Sequence, residues 1–295
     1  MDKDGNKRQT VKGQKVNNIT ASAWISWHIL PLAALGVLIT AYLWSRSSGA
    51  TSAVTATCLA TPPNSQVKIL SLDPFIAHIT DFVSESERKY LIDIGKPLLS
   101  SSTTLDDSGN QASSSYRTSS SAFLPPTDPC VSRIVHRAAD FQGYLSPSDI
   151  NIQLTAYQPG QQYKHHYDWF SAPANSPTTP LPRNTISTFF AILHATCHAC
   201  GTEFPFLNTT NRHRYDERWC YVIDCDKPVL TTRNVEGSAL FWINLDAQGR
   251  GREDTLHSGL PANGGEKIGL NVWTDFEVNE VWDRGLFGGS LKPPA

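Results

Sequence analysis

Charge of either sign is sparse in this chain. Of 295 residues only 18% are charged, and the net charge is −2. No basic excess points to nucleic acid, and no acidic block points to a solvated disordered tail. No internal repeat is visible, so a repeat array is set aside. Long apolar runs are absent with a single exception near the N-terminus. What the chain does have is 10% aromatic residues with eight tryptophans, the makings of a well-packed core. The length suits one globular domain with appendages.

The exceptional run extends from Ala23 to Trp44 without a charged residue. About 20 apolar residues are needed to cross a bilayer as a helix. Pro31 and Gly36 are tolerated in such a helix, and Trp24, Trp27, Tyr42 and Trp44 stand at its two ends, where an aromatic belt belongs. Lys3, Lys7, Arg8, Lys12 and Lys15 precede the run, whereas only Arg46 follows it before Lys68. The positive-inside rule then places the N-terminus in the cytosol and the bulk of the chain across the membrane. A cleaved signal peptide is the competing reading. The run is longer than that requires, and no clear small-residue cleavage site follows it.

The expected organisation is a cytosolic tail (1–22), a transmembrane signal anchor (23–45), a stem rich in Ser, Thr, Ala and Pro (46–66), a globular domain (67–280) and a C-terminal tail (281–295). This is a single-pass type II arrangement, with the domain in the lumen of the endoplasmic reticulum. Six cysteines (Cys58, Cys130, Cys197, Cys200, Cys220 and Cys225) fit an oxidising lumen. Cys197 and Cys200 have C-x-x-C spacing, so a zinc site competes with disulfides, and the pairing is not legible from spacing. Asn208-Thr209-Thr210 is a glycosylation sequon on the lumenal side, while Asn18-Ile19-Thr20 faces the cytosol and stays bare.

Within the domain, Val67 to Ile79 reads as extended. Ser84-Glu85-Ser86-Glu87 is a capping box opening a helix that runs to about Ile94, where Gly95 and Pro97 stop it. Ser100 to Ser121 reads as a polar loop with one short strand. Cys130 to Tyr144 carries apolar residues at helical spacing, namely Val131, Ile134, Val135, Ala138 and Phe141. Ile150–Tyr157, Thr185–His194, Ser238–Leu245 and Lys267–Trp273 are β-prone. Two helices followed by short strands predict an α+β domain with a sandwich or jelly-roll core.

The chemistry concentrates around Tyr157 to Asp168. On an extended chain residues i and i+2 point to the same side, so His166 and Asp168 can share one metal. His165 is then solvent-facing or supports the site from outside. His-x-Asp by itself is weak evidence, because such pairs arise by chance. His257, beside a Gly-Leu-Pro turn, is the best third ligand. Two imidazoles and one carboxylate on one face of iron(II) leave its other positions open for small ligands.

The wider pattern resembles the prolyl 4-hydroxylase branch of the iron(II)/2-oxoglutarate-dependent dioxygenases, in the form of its fungal and plant members. The matching elements are Tyr157, Gly160-Gln161, Tyr163, His166 and Asp168, Gly201-Thr202-Glu203-Phe204-Pro205, His257-Ser258-Gly259-Leu260-Pro261, Gly265-Glu266-Lys267 and Trp273. They cover roughly residues 67 to 280. The resemblance implies a double-stranded β-helix, with iron(II), 2-oxoglutarate and dioxygen as cofactor and cosubstrates and ascorbate as reductant. It implies that Lys267 pairs with the distal carboxylate of 2-oxoglutarate, a charge-assisted contact. Tyr157 and Thr202 would donate hydroxyl hydrogen bonds to that cosubstrate, with Trp273 packed nearby. Tyr163 and Arg183 would face a peptide substrate. Asp168 is retained where related halogenases carry a small residue, so hydroxylation is expected.

Peptidyl proline, hydroxylated at C4, is the leading substrate. A small molecule or another side chain is the alternative, and a non-catalytic binding module or a protein built on Cys197 and Cys200 stands outside the class. The sequence departs from the family pattern in three places. Ala199-Cys200 replaces a Gly-Gly pair, a charged insertion spans Asn208 to Asp226, and Asp275 stands where many members carry a basic residue.

Overall fold

The computed structural model describes residues 65–105, 111–113, 115–143, 145–171, 183–209 and 217–277. The expected anchor, the cytosolic tail with Asn18, the stem up to residue 64 and the C-terminal tail lie outside the described residues. Among the described residues no helix is long and apolar enough to cross a membrane.

The two expected helices form. Helix α1, Glu85–Gly95, begins with the capping box: Glu87 N–H donates to the Ser84 hydroxyl, and Ser84 N–H donates to Glu87 Oε2 at 2.9 Å. These contacts satisfy backbone donors that an uncapped first turn leaves free. Lys96–Leu98 continues as one 3-10 turn that accommodates Pro97. Helix α2, Pro129–Gln142, is capped by Asp128, whose Oδ1 accepts from Cys130 N and Val131 N, and is closed by Gly143 at φ 76°. A left-handed closing residue is the usual reason for glycine at that place. The helices are joined by a partly buried ion pair: Arg137 Nη2 donates to Glu87 Oε1 at 2.8 Å, and the glutamate is fully buried.

The rest is antiparallel sheet. β1 (Val67–Leu72), β2 (Phe75–Ile79), β3 (Ser100–Ser101), β6 (Ser120–Phe123), β7 (Ile150–Tyr157), β9 (Arg183–Ala195), β12 (Ala239–Ile243) and β14 (Lys267–Glu277) form the larger sheet, in the order β1-β2-β12-β9-β14-β7-β6-β3. A smaller sheet has the order β11-β10-β13-β8, from β8 (Tyr163–His166), β10 (Thr202–Asn208), β11 (Val229–Thr231) and β13 (His257–Gly259). β4 (Thr103–Leu105) and β5 (Gln111–Ser113) pair by themselves. The polar stretch expected to be a loop with one strand therefore holds several. Most of their residues are serines and threonines, which do not give the apolar alternation that marks a half-buried strand.

Side-chain alternation along β9 separates two cores. Phe189, Ala191 and Leu193 face the helices and pack with Leu91, Ile134, Leu270 and Val272. Phe190 and Ile192 face the smaller sheet and pack with Tyr157, Phe204, Leu240 and Trp242. β9 is covered on both faces, and its residues from Asn184 to Leu193 are all buried. The domain is thus mostly β, with two helices on the outer face of the larger sheet. The functional side chains gather on its inner face.

Candidate metal centre

His257 and His166 face one another in register across β13 and β8. Their rings lie 4.2 Å apart between centroids. Asp168 follows β8 directly. His166 Nε2 is 3.7 Å from Asp168 Oδ1, and His257 Nε2 is 3.7 Å from Asp168 Oδ2. One ligand atom from each of the three residues falls within 4.8 Å of the others.

The tautomers suit a metal. His166 Nδ1 lies 2.7 Å from the Lys164 carbonyl, and His257 Nδ1 lies 2.9 Å from the Thr255 carbonyl. A carbonyl oxygen only accepts, so each Nδ1 carries the hydrogen and each Nε2 presents its lone pair to the centre. Burial, reinforced by the neighbouring His257, holds the His166 pKa well below the usual histidine range, so this ring is neutral and able to ligate.

Asp168 is fixed from behind by two residues that sequence reading missed. Thr188 Oγ1 donates to Asp168 Oδ2 at 2.8 Å, and Asn244 Nδ2 donates to Thr188 Oγ1 at 2.9 Å. Both residues are fully buried. Thr188→Val keeps the shape but removes the hydroxyl, leaving one carboxylate oxygen without its donor. We expect metal affinity to fall roughly 10–100-fold, the range for loss of a contact that orients a ligand. Calorimetric titration with manganese(II) checks this, and an unchanged affinity would show that Thr188 does not orient Asp168.

Tyr163 stacks on His166, with centroids 3.4 Å apart and planes 11° from parallel. The guanidinium of Arg117 covers the Tyr163 ring at 4.8 Å. Arg117 was hidden in the polar stretch and carried no sequence signal. His165 points outward beside Glu203 at 3.4 Å, as the alternation required.

Two residues past His257, the backbone of Gly259 faces a second cluster. A Cβ on Gly259 would stand 3.6 Å from Tyr157 Oη and 3.7 Å from Lys267 Nζ, so the bare glycine keeps the space over both groups open. Lys267 is fully buried. Its ammonium donates to the Cys200 carbonyl at 2.7 Å and lies 4.8 Å over the Tyr157 ring. No described carboxylate pairs with it, and burial lowers its pKa to about 7. Burial likewise raises the Tyr157 and Tyr163 hydroxyls above their ordinary pKa, so both remain proton donors. Thr202 is buried and sits across from Gly259 in the smaller sheet. Together these groups suit a carboxylate that enters the space and meets the ammonium.

The remaining expected residues fall elsewhere. Trp273 is on the same face of β14 as Lys267, opposite Thr188 and Asn151. Arg183 lies across from Glu277, at the far end of β14 from Lys267. Its guanidinium binds Asp149 at 2.7 Å and the Asp275 carbonyl at 3.0 Å. Asn208 is exposed at the end of β10. Cys197 is bonded to Cys200 and Cys220 to Cys225, and Cys130 is also disulfide-bonded. The zinc alternative is thereby corrected, since a disulfide has no thiolate to offer a metal.

Comparison with known proteins agrees with the motifs. No protein-family model matches the chain. Prolyl 4-hydroxylase subunit alpha-3 of Homo sapiens is 32% identical over 213 residues, covering 70% of this chain and 34% of that protein. Prolyl 4-hydroxylase 2 of Arabidopsis thaliana is 28% identical over 225 residues, covering 74% of each. The chain thus spans about a third of the length of the animal relatives it matches. A solved viral collagen prolyl hydroxylase from Paramecium Bursaria Chlorella virus-1 aligns at a TM-score of 0.46 and 23% identity, covering 68% of this chain and 95% of the other.

Proposed function

We infer that this chain, prolyl 4-hydroxylase-like across its described domain, is an iron(II)- and 2-oxoglutarate-dependent dioxygenase that hydroxylates peptidyl proline. The observation carrying this reading is the convergence of His166, Asp168 and His257 beside a buried ammonium that no carboxylate among the described residues pairs with. The residues fit the groups the reading requires. Two imidazoles that turn Nε2 inward and one carboxylate suit iron(II) and leave part of its coordination sphere free. Lys267, Tyr157 and the space over Gly259 suit one carboxylate of a small dicarboxylic oxoacid. The two facing antiparallel sheets, with His166 and His257 on the smaller one and Asp168 just past it, support the reading of the core as a double-stranded β-helix.

When bound, iron(II) and 2-oxoglutarate supply the oxidising chemistry, in which dioxygen adds one atom to a C–H bond and the oxoacid leaves as succinate and carbon dioxide. The chain supplies position and exclusion of water. His166 and His257 present Nε2 because their Nδ1 hydrogens are held by carbonyls. Thr188 fixes the Asp168 carboxylate. Lys267 would hold one carboxylate of the oxoacid through its buried ammonium. Phe190, Phe204 and Trp242 line the space between the sheets and keep it dry.

A groove of about 550 Å³ opens beside this site, lined by Tyr116, Tyr163, Tyr167, Leu260 and Pro261 among others. An aromatic groove of this kind suits an extended polyproline II segment, whose low conformational entropy favours docking. It supports a proline-containing peptide over a compact metabolite. The decisive experiment incubates the full chain with iron(II), 2-oxoglutarate, ascorbate and a panel of proline peptides and metabolites. We expect succinate release together with a one-oxygen mass gain on a proline peptide. A gain confined to a metabolite would replace the substrate, and no succinate under any condition would refute the enzyme.

The apolar run 23–45 and the basic residues before it support a single-pass type II anchor with the domain in the endoplasmic reticulum lumen. The exposed Asn208 then becomes a glycan acceptor. Endoglycosidase treatment of the expressed chain should shorten it by one glycan, and the Asn208→Gln variant should be insensitive. A glycan that persists in that variant would overturn the assignment.

A further inference from the structure

We propose that the Cys197–Cys200 disulfide is the positioning element for Lys267, and that a dithiol reductant lowers the site's affinity for 2-oxoglutarate by opening it. The inference rests on the reading of Lys267 as the oxoacid anchor.

The bridge closes the turn by which the chain passes from β9 in the larger sheet to β10 in the smaller one. The carbonyl of Cys200 is the acceptor for Lys267 Nζ at 2.7 Å. The same carbonyl accepts from Asn234 Nδ2 at 3.0 Å. The ammonium therefore takes its direction from a backbone atom of a bridged residue rather than from a side chain that can rotate.

The turn is also tied to the segment that delivers the lysine. Thr196 N–H donates to the Glu266 carbonyl at 2.9 Å, and Leu260 N–H donates to the Gly201 carbonyl at 3.0 Å. The backbone packs so closely that a Cβ on Gly265 would stand 2.6 Å from Cys197 N. Between the two cysteines, Ala199 has φ 51°. L-residues avoid this region because the side chain crowds the following carbonyl. The bridge is the covalent constraint that spans this unfavourable residue. Once it opens, Ala199 can return to negative φ, and the Cys200 carbonyl rotates with it.

The two sulfurs differ in access. Cys200 is buried, whereas Cys197 is partly exposed. A thiolate of an external dithiol would attack Cys197 Sγ, breaking the protein disulfide and forming a mixed one. Cys200 leaves as a thiolate and takes up a proton. The second thiol of the reductant, deprotonated, then displaces Cys197, which is protonated in turn. Two electrons pass to the protein, and the reductant becomes a disulfide.

The test uses the full chain loaded with manganese(II), a metal that does not turn over. Dithiothreitol is applied and then removed without air, alkylation of the new thiols maps which bridges opened, and 2-oxoglutarate is titrated calorimetrically. We expect the dissociation constant for 2-oxoglutarate to rise roughly tenfold on reduction, as for the misdirection of one charged hydrogen bond. Manganese(II) affinity should hold, and reoxidation should restore tight binding. Cys197→Ser should match the reduced form without treatment. A Cys220→Ser/Cys225→Ser variant should bind as the wild type does and still respond to reduction.

Equal 2-oxoglutarate affinity in both redox forms would overturn the proposal alone. So would parallel loss of manganese(II) affinity, since the bridge would then be holding the fold rather than the lysine. Failure of the oxidised, metal-loaded protein to bind 2-oxoglutarate at all would sink the underlying reading as well.

Discussion

His257→Ala should reduce 2-oxoglutarate turnover by at least about 1,000-fold, while His165→Ala should stay within a few-fold of the wild type. Loss of a contact that merely orients a ligand brings about 10–100-fold, and removal of the ligand itself must exceed that. The contrast is sharp because three histidines crowd this stretch of structure. His257 is almost fully buried, with its Nε2 3.7 Å from Asp168 Oδ2. His165 points away from the centre and sits beside Glu203. Succinate release, measured alongside manganese(II) affinity, separates loss of metal from loss of chemistry. Asp168→Ala belongs to the same series. Full turnover in that variant, or in His257→Ala, would remove the ground for the assigned ligand set.

Lys267→Ala should raise the KM for 2-oxoglutarate on the order of 100-fold with a smaller effect on kcat. About 2.7 kcal/mol corresponds to that factor and is within the range for a charged hydrogen bond. The lysine also predicts a pH dependence. In the free site burial lowers its pKa to about 7. Binding a carboxylate favours the ammonium and raises the pKa. Below pH 7 the lysine is already charged and affinity is level. Above it, binding must take up a proton, so affinity falls up to about tenfold per pH unit until the pKa of the bound state is reached. Lys267→Ala should bind weakly and without this slope. A wild-type affinity constant from pH 6 to pH 9 would contradict the role given to Lys267.

The parts of the molecule legible in sequence are those whose physics is local. The capping box at Ser84 satisfies backbone groups within one turn and is therefore written in four consecutive residues. Helix α2 announces itself by spacing alone. His166 and Asp168 could be paired because an extended chain returns side chains to one side every second residue. What remained hidden is relational. Thr188 in a strand reads as ordinary β-prone sequence, and only the fold brings its hydroxyl to Asp168, 20 residues earlier. Asn244 and Arg117 are hidden for the same reason. β8 and β13 contain four and three residues, too few to show a period. Arg183 has an equally hidden partner: the fold pairs its guanidinium with Asp149, 34 residues earlier.

Four- and three-residue strands have few backbone bonds with which to hold their alignment. A slip of one residue between β8 and β13 would turn one imidazole to the outer surface. An ion that demands both imidazoles at once acts as a pin on that alignment. By mass action, whatever binds only the aligned state raises its population. On the proposed reading, a ferrous ion would then be a structural constituent of the smaller sheet as well as a reagent, and iron-free protein should be cut by protease faster than the metal-loaded form.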